Sequence, residues 1–173
     1  FDTIYHEHYS YFSLYTFNQI VNKANLKIVD VEEIPTHGGS LRVWLTHSLN
    51  DLIQAKKVVE KIINLEIDEG LISEEIFKDF QLKAQNVKLD LLELLLKLKS
   101  NNKKIIGYGA AAKGNTLLNY MGVSKDLIPA VIDNAESKQG KFLPGSHIPI
   151  IKAEQLEEIK PDYIIVLPWN ILD

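Results

Sequence analysis

The stretch KKIIGYGAAAKGNTLLNYMG, residues 103–122, decides the fold. It joins a short apolar run, a glycine-rich turn and an amphipathic segment, which predict a strand, a loop and a helix in that order. PAVIDNAESKQG at 129–140 predicts a second strand, and the remaining chain predicts a helix near 153–159 and a third strand at 163–167. Strands that alternate with helices at this spacing indicate an α/β fold, with a parallel sheet and helices on both of its faces.

The first hundred residues show a different pattern. An amphipathic helix is predicted within 13–27, and two strands, KIVDVEEI at 27–34 and SLRVWLTH at 40–47, are joined by a proline- and glycine-containing turn as an antiparallel pair. Two long helices follow, at roughly 51–66 and 73–99. Packing against a core is the simpler interpretation of these helices, and oligomerisation is an alternative.

Composition excludes several classes. The 173 residues carry a net charge of −4 and no cysteine, which disfavours a nucleic-acid surface and a disulfide scaffold and suits a cytoplasmic protein. Apolar runs are interrupted by charge too early for a membrane span. The oligomeric state stays open. Because the chain starts at Phe1, we expect a piece of a longer protein, with a linker at 1–15 and a single domain at 16–173.

The glycine-rich turn is a candidate anion site. Gly107, Gly109 and Gly114 follow the first strand of the parallel sheet, but the third glycine comes two residues later than in the dinucleotide fingerprint GxGxxG. N–H groups at the start of a helix favour a phosphate, and Lys113 adds a positive charge there. The alternative is a purely structural turn between strand and helix.

Polar and aromatic residues follow the other two strands of this sheet. Asp133 is placed to bind a ribose hydroxyl or, equally, to cap the next turn. Trp169 offers a stacking face and Asn170 an amide. Because the carboxyl ends of parallel strands share one edge, these groups predict a ligand crevice.

The opening segment YHEH, residues 5–8, has three interpretations. A metal site through His6 and His8 lacks a third ligand and the HExxH spacing, so we expect no metal. Tyr5, Glu7 and His8 together form a candidate acid/base group, because imidazole titrates near neutrality and a carboxylate can orient it. The third interpretation is an aromatic segment that packs into a core.

Five motifs in order carry a resemblance to a known family: YHEHYSYFS, HGGSLRV, GYGAAAKGNTLLN, IDNAESKQGKFLPGSHIPI and VLPWN. Together they resemble the carboxyl-terminal half of the S-adenosylmethionine-dependent sugar C-methyltransferases, which act on nucleotide-linked 4-keto-deoxysugars. The resemblance covers nearly the whole chain. It implies a Rossmann-like domain that holds the nucleotide sugar, with S-adenosylmethionine bound elsewhere in the full-length enzyme, so that this piece alone would be inactive.

The resemblance also implies residue roles. Tyr5, Glu7 and His8 match the family's YxEH group, with His8 as the base that removes a proton beside the keto group so that the resulting enolate attacks the methyl donor. His37 would line the sugar pocket, although a plain turn is equally compatible. The residues implied to cradle the nucleotide, with thymidine diphosphate favoured, are Gly107, Gly109, Lys113, Gly114, Asn115, Asp133 and Asn134. A different hypothesis is a dinucleotide-binding module of regulatory or oxidoreductase type.

Overall fold

The chain forms two compact units. The computed structural model describes residues 3–4, 8–36 and 39–171. One unit is Tyr9–Gln81, and the other consists of Leu82–Asp173 with Phe1–His8, taken over their described residues. Within the described ranges, no helix has both the length and the apolar character that crossing a membrane requires. The predicted division into a linker at 1–15 and one domain from residue 16 stays a prediction.

The unit Tyr9–Gln81 is built on an antiparallel strand pair. Its elements are α1 Leu14–Lys23, β1 Leu26–Ile34, β2 Ser40–His47, α2 Lys57–Asp68 and the first part of α3, Glu74–Ser100. β1 and β2 pair antiparallel, which confirms the predicted pair. The buried side chains of its core are Leu14, Val21, Ile28, Val31 and Val59.

The amino terminus of α1 is fixed by two polar side chains. Ser13 is the N-cap residue, and its hydroxyl accepts the Thr16 N–H at 3.1 Å. The Glu66 carboxylate on α2 accepts the N–H groups of Leu14 at 2.7 Å and Tyr15 at 2.6 Å. Because the first N–H groups of a helix have no partners within the helix, these three bonds define where α1 begins.

The first long helix starts later than the sequence predicts, at Lys57 instead of near residue 51. A bulge in β1 leaves Val29 without a partner on β2, and its carbonyl accepts the Lys56 N–H at 2.9 Å. The Lys56 ammonium also forms an ion pair with Asp30 on β1. These contacts attach Lys56, the N-cap residue, to β1, and the helix starts directly after it.

The second unit contains a four-stranded parallel sheet. After α3, its elements are β3 Ile105–Tyr108, α4 Ala112–Met121, β4 Val131–Ile132, β5 Ile150–Ile151, a 3₁₀ turn Ala153–Gln155, α5 Leu156–Ile159, β6 Tyr163–Val166 and a 3₁₀ turn Trp169–Ile171. The strand order is β5-β4-β3-β6, and all neighbours are parallel. The chain therefore moves outward from β3 in one direction and returns to add β6 on the other side, as in a doubly wound fold.

Helices cover both faces of this sheet, which confirms the predicted α/β architecture. Successive strand residues point to opposite faces, so Ile105 and Ile106 enter different cores. One core joins β3, β4 and β5 to α3 through Leu95 and to α4 through Leu118. The other core packs Ile106 and its neighbours against Leu156 and the rest of α5.

Candidate functional site

Three glycines, one in β3, one in the β3–α4 loop and one in the first turn of α4, allow close packing. A Cβ at position 107 would lie 2.7 Å from Val131 Cγ2 on β4, and one at position 109 would lie 2.6 Å from Pro168 Cδ. Gly109 also has φ +83°, which a glycine adopts without steric strain. A Cβ on Gly114 would lie 2.4 Å from the Leu167 Cβ. The third glycine therefore sits where α4 passes closest to the chain that follows β6.

Asp133 lies at the carboxyl end of β4, and its carboxylate is buried and fully engaged. Oδ1 accepts the Ala135 N–H at 2.8 Å, and Oδ2 accepts both the Ala110 N–H at 2.7 Å and the Lys138 ammonium at 3.0 Å. Burial by itself would raise the pKa of Asp133, but the hydrogen bonds that it accepts outweigh burial and hold that pKa below its usual value. Asp133 is thus a carboxylate that joins its own turn to the glycine-rich loop.

A cleft of about 590 Å³ opens beside this loop. Its lining comes from the loop, the start of α4 and the segment after β4, and consists of Ala110, Ala111, Ala112, Asn115, Ser137, Lys138, Lys141, Phe142, Leu143, Pro144 and Ile150. The N-cap residue of α4, Ala111, has no side chain that could accept the first N–H groups of the helix. Two lysines and the positive end of a helix dipole therefore face one cavity.

Asn115 lines the cleft and helps to connect its walls. Its backbone carbonyl accepts the Asn119 side-chain amide at 2.8 Å, and the same amide donates to the Pro144 carbonyl at 2.9 Å. α4 is thus connected to the far wall of the cleft. The Asn115 Oδ1 is buried and, among the described atoms, has no hydrogen-bond partner.

Several other predicted residues lie near this edge of the sheet but do not line the cleft. Lys113 is 9% exposed, so its side chain is largely enclosed by protein. Asn134 donates to the hydroxyl of Tyr108 at 3.4 Å. Trp169 packs partly against the core, whereas Asn170 is exposed. Of the predicted site residues that the structure describes, Asn115 is the one among the lining residues of this cleft.

His8 is exposed, and its Nδ1 lies 3.0 Å from the Thr3 carbonyl oxygen. A carbonyl oxygen can only accept, so this contact assigns the hydrogen of the neutral ring to Nδ1 and the basic lone pair to Nε2. Among the described residues, no three histidine or acidic side chains cluster as a metal site would require. Four residues named in the sequence predictions lie outside the described residues: Tyr5, His6, Glu7 and His37.

The sequence predictions omitted Lys138, Lys141 and Phe142. All three belong to the motif IDNAESKQGKFLPGSHIPI, and the Phe142 side chain is exposed. The sequence feature that could have identified the lysines is their spacing, three residues apart in a turn after a strand of the parallel sheet. The sequence does not show that this turn folds back over the start of α4.

Two comparisons bear on the whole chain. Residues 35–173 match the family described as "C-methyltransferase C-terminal domain". The chain is also similar to C-methyltransferase NovU of Streptomyces niveus, with 36% identity over 170 residues, which is 98% of this chain and 40% of that protein. The chain therefore spans well under half the length of this curated relative.

Proposed function

Because this chain belongs to the C-methyltransferase C-terminal domain family, we propose that it is the substrate-binding part of a C-methyltransferase acting on a nucleotide-linked 4-keto-deoxysugar. The observation that carries the proposal is the cleft where Lys138, Lys141 and the start of α4 converge. His8 is the proposed general base, acting with Tyr5 and Glu7.

The cleft suits a nucleoside diphosphate. A volume of about 590 Å³ lies within the usual range for small-molecule sites. The Lys141 ammonium and the N–H groups at the start of α4 favour phosphate oxygens. The exposed ring of Phe142 offers a stacking surface for the base. Trp169, Asn170 and Asn134 remain proposed contacts at the edge of the site, and His37 remains a proposed contact of the sugar.

His8 suits the role of base because of its tautomer. In the neutral ring, the bond to the Thr3 carbonyl places the hydrogen on Nδ1, so that Nε2 is the ring nitrogen without one. The proton lies on the sugar carbon beside the keto group, and it is acidic because the keto oxygen accepts the charge of the enolate. A hydrogen-bond donor at that oxygen, for which Tyr5 is the candidate, would stabilise the charge.

The described cleft does not suit S-adenosylmethionine. That cofactor supplies an electrophilic methyl group from a sulfonium cation. Lys141 and the positive end of α4 would repel a cation and attract an anion. We therefore assign methyl-donor binding to the part of the full-length protein outside this chain, so that this piece alone would be inactive.

A dinucleotide-binding module is less well supported. Such a module uses an acid at the end of the second strand to bind a ribose hydroxyl. Asp133 is that acid here, but its oxygens already accept three hydrogen bonds within the protein. The sheet order is compatible with either function.

Calorimetry tests ligand binding. We expect thymidine diphosphate to bind and thymidine, which lacks phosphate, to bind much more weakly. Lys141→Met should weaken thymidine diphosphate binding about tenfold or more, the value of one hydrogen bond to a charged group. Lys125→Met, which removes the same charge from an exposed residue outside the cleft lining, is the control. A correctly folded chain that binds none of several nucleotide sugars would contradict the proposal.

Solvent deuterium exchange in the full-length protein tests the base. His8→Ala should abolish exchange at the sugar carbon beside the keto group, because the proposed base is removed. His47→Ala, which changes another exposed histidine, should leave exchange intact. Undiminished exchange in the His8→Ala protein would exclude His8 as the base.

A further inference from the structure

The two lysines of the cleft have different surroundings. The Lys138 ammonium lies 3.0 Å from Asp133 Oδ2 and 3.0 Å from the Ala110 carbonyl oxygen. Among the described residues, no hydrogen bond or ion pair joins the Lys141 ammonium to another group. One lysine is therefore used within the protein, and the other keeps its charge directed to whatever enters the cleft.

We propose that Lys138 is a positioning residue, which holds the glycine-rich loop in the shape that binds the ligand, and that Lys141 is the lysine that contacts the ligand's phosphate. The first half of this proposal stands on contacts within the protein. The second half rests on the function proposed above.

The contacts around Ala110 form a closed ring. Asp133 Oδ2 accepts the Ala110 N–H at 2.7 Å, Lys138 donates to the Ala110 carbonyl, and Lys138 and Asp133 are themselves paired. Both backbone polar groups of one residue are thus held by one ion pair. This arrangement fixes the two peptide planes that flank Ala110.

Ala110 is a sensitive position because of its neighbours. Gly109 before it has φ +83°. Because glycine adopts positive and negative φ about equally readily, sterics alone do not hold it in this conformation. Ala111 after it is the N-cap residue of α4. A rotation at residues 109–110 would change the direction of the first N–H groups of α4, which are the groups offered to an anion. The ring around Ala110 therefore orients the anion-binding end of the helix.

The turn that carries Lys138 is anchored independently of the lysine. Asp133 Oδ1 accepts the Ala135 N–H at 2.8 Å, and the Gln139 side chain donates to the Asp133 carbonyl at 3.0 Å. The Lys138 side chain is 44% exposed, whereas that of Asp133 is 11% exposed. Removing Lys138 should therefore leave Asp133 with its two backbone donors and the turn intact, so the chain should fold while the loop loosens.

Hydrogen exchange of the Ala110 amide, measured by NMR on the chain without ligand, tests the positioning role. Lys138→Met keeps the apolar stem and removes the donor, and we expect about tenfold faster exchange at Ala110, equivalent to one hydrogen bond to a charged group. Lys138→Arg should restore slow exchange, and Lys141→Met should not change it. Unchanged exchange in Lys138→Met, or equal acceleration in Lys141→Met, would overturn the assignment.

Thymidine diphosphate binding at low and high salt tests the division between the two lysines. Lys141→Met should reduce both the affinity and its dependence on salt, because a phosphate contact is lost. Lys138→Met should reduce the affinity, and Lys138→Arg should recover it. Recovery by arginine at position 138 with no effect of Lys141→Met would overturn the role of Lys141. If the unmodified chain binds no thymidine diphosphate, the proposed function fails, while amide exchange at Ala110 still decides whether Lys138 positions the loop.

Discussion

Replacing Gly114 with alanine sets two effects of opposite sign against each other. Gly114 lies in the first turns of α4, and an alanine Cβ there would come 2.4 Å from Leu167 Cβ and 3.0 Å from Leu167 Cγ. In a helix exposed to solvent, the change from glycine to alanine stabilises by about 1 kcal/mol. The contact with Leu167 decides whether that gain survives.

We expect the steric cost of the contact with Leu167 to exceed the gain in helix propensity. Carbon atoms normally pack about 3.5–4.0 Å apart, so the new Cβ would overlap its neighbour by roughly 1 Å. The nearest atom is a Cβ, which cannot rotate away, so the backbone of α4 or of the chain at Leu167 must move. Overpacking of this kind costs about 1–3 kcal/mol and sometimes more. After subtraction of the helix preference, we expect a net loss of up to about 2 kcal/mol and a Tm lower by up to roughly 8 °C.

Urea unfolding followed by circular dichroism measures this loss. Gly122→Ala is the control, because Gly122 has φ +73° and open space around its Cβ position, so it reports backbone strain without a clash. Truncation of Leu167 to alanine should not rescue Gly114→Ala, because alanine retains the Cβ that lies nearest. A rise in stability of about 1 kcal/mol for Gly114→Ala would match helix propensity alone and would refute the packing argument.

Two further changes test polar contacts. Asp133→Asn should destabilise the chain at pH 7, because the ionised carboxylate stabilises the folded state. The pKa of this carboxyl is lower in the folded than in the unfolded state, so its contribution to stability is full above the unfolded pKa and is lost as the pH falls through the folded pKa. The difference in stability between the variant and the unmodified protein should therefore shrink as the pH falls below about 4. Urea midpoints at several pH values would show it, and a difference that does not change with pH would argue against the ionised form. Glu66→Ala should cost about 1–3 kcal/mol, because the N–H groups of Leu14 and Tyr15 lose their acceptor in a partly buried site. Glu69→Ala, at an exposed position on the residue after α2, should cost much less, and equal losses would show that the contact with α1 is unimportant.

The elements predicted best from sequence are those whose signals are local. Ser13 caps α1, and alternation together with a turn predicts the β1–β2 pair, so helix and hairpin appear where expected. The predicted start of α2 was wrong because the observed start depends on a long-range hydrogen bond from the Lys56 N–H to the carbonyl of Val29. β5, Ile150–Ile151, is not among the strands that the sequence predicted.

The late third glycine shows how a motif can be recognised while its cause stays hidden. From sequence, the resemblance implied that Gly114 helps to cradle the nucleotide. In the fold, Gly114 meets Leu167 across the space between α4 and the end of β6, and this close packing is a sufficient reason for a glycine. A packing partner 53 residues away leaves no mark near the motif, so spacing alone could not separate ligand approach from helix packing.

The same limit applies to the charged residues of the candidate site. For Asp133 the sequence left two roles open, and the deciding contacts come from Ala110 and Lys138, on opposite sides of it along the chain. Lys138 and Lys141 lie three residues apart in one turn, and the sequence alone gives no reason to assign them different roles. They differ only because the turn after β4 folds back over the start of α4, which brings the first within 3.0 Å of Asp133 and leaves the second on the cleft wall. The roles of the two cations therefore follow from tertiary structure, and a pair of methionine substitutions with separate readouts can distinguish them.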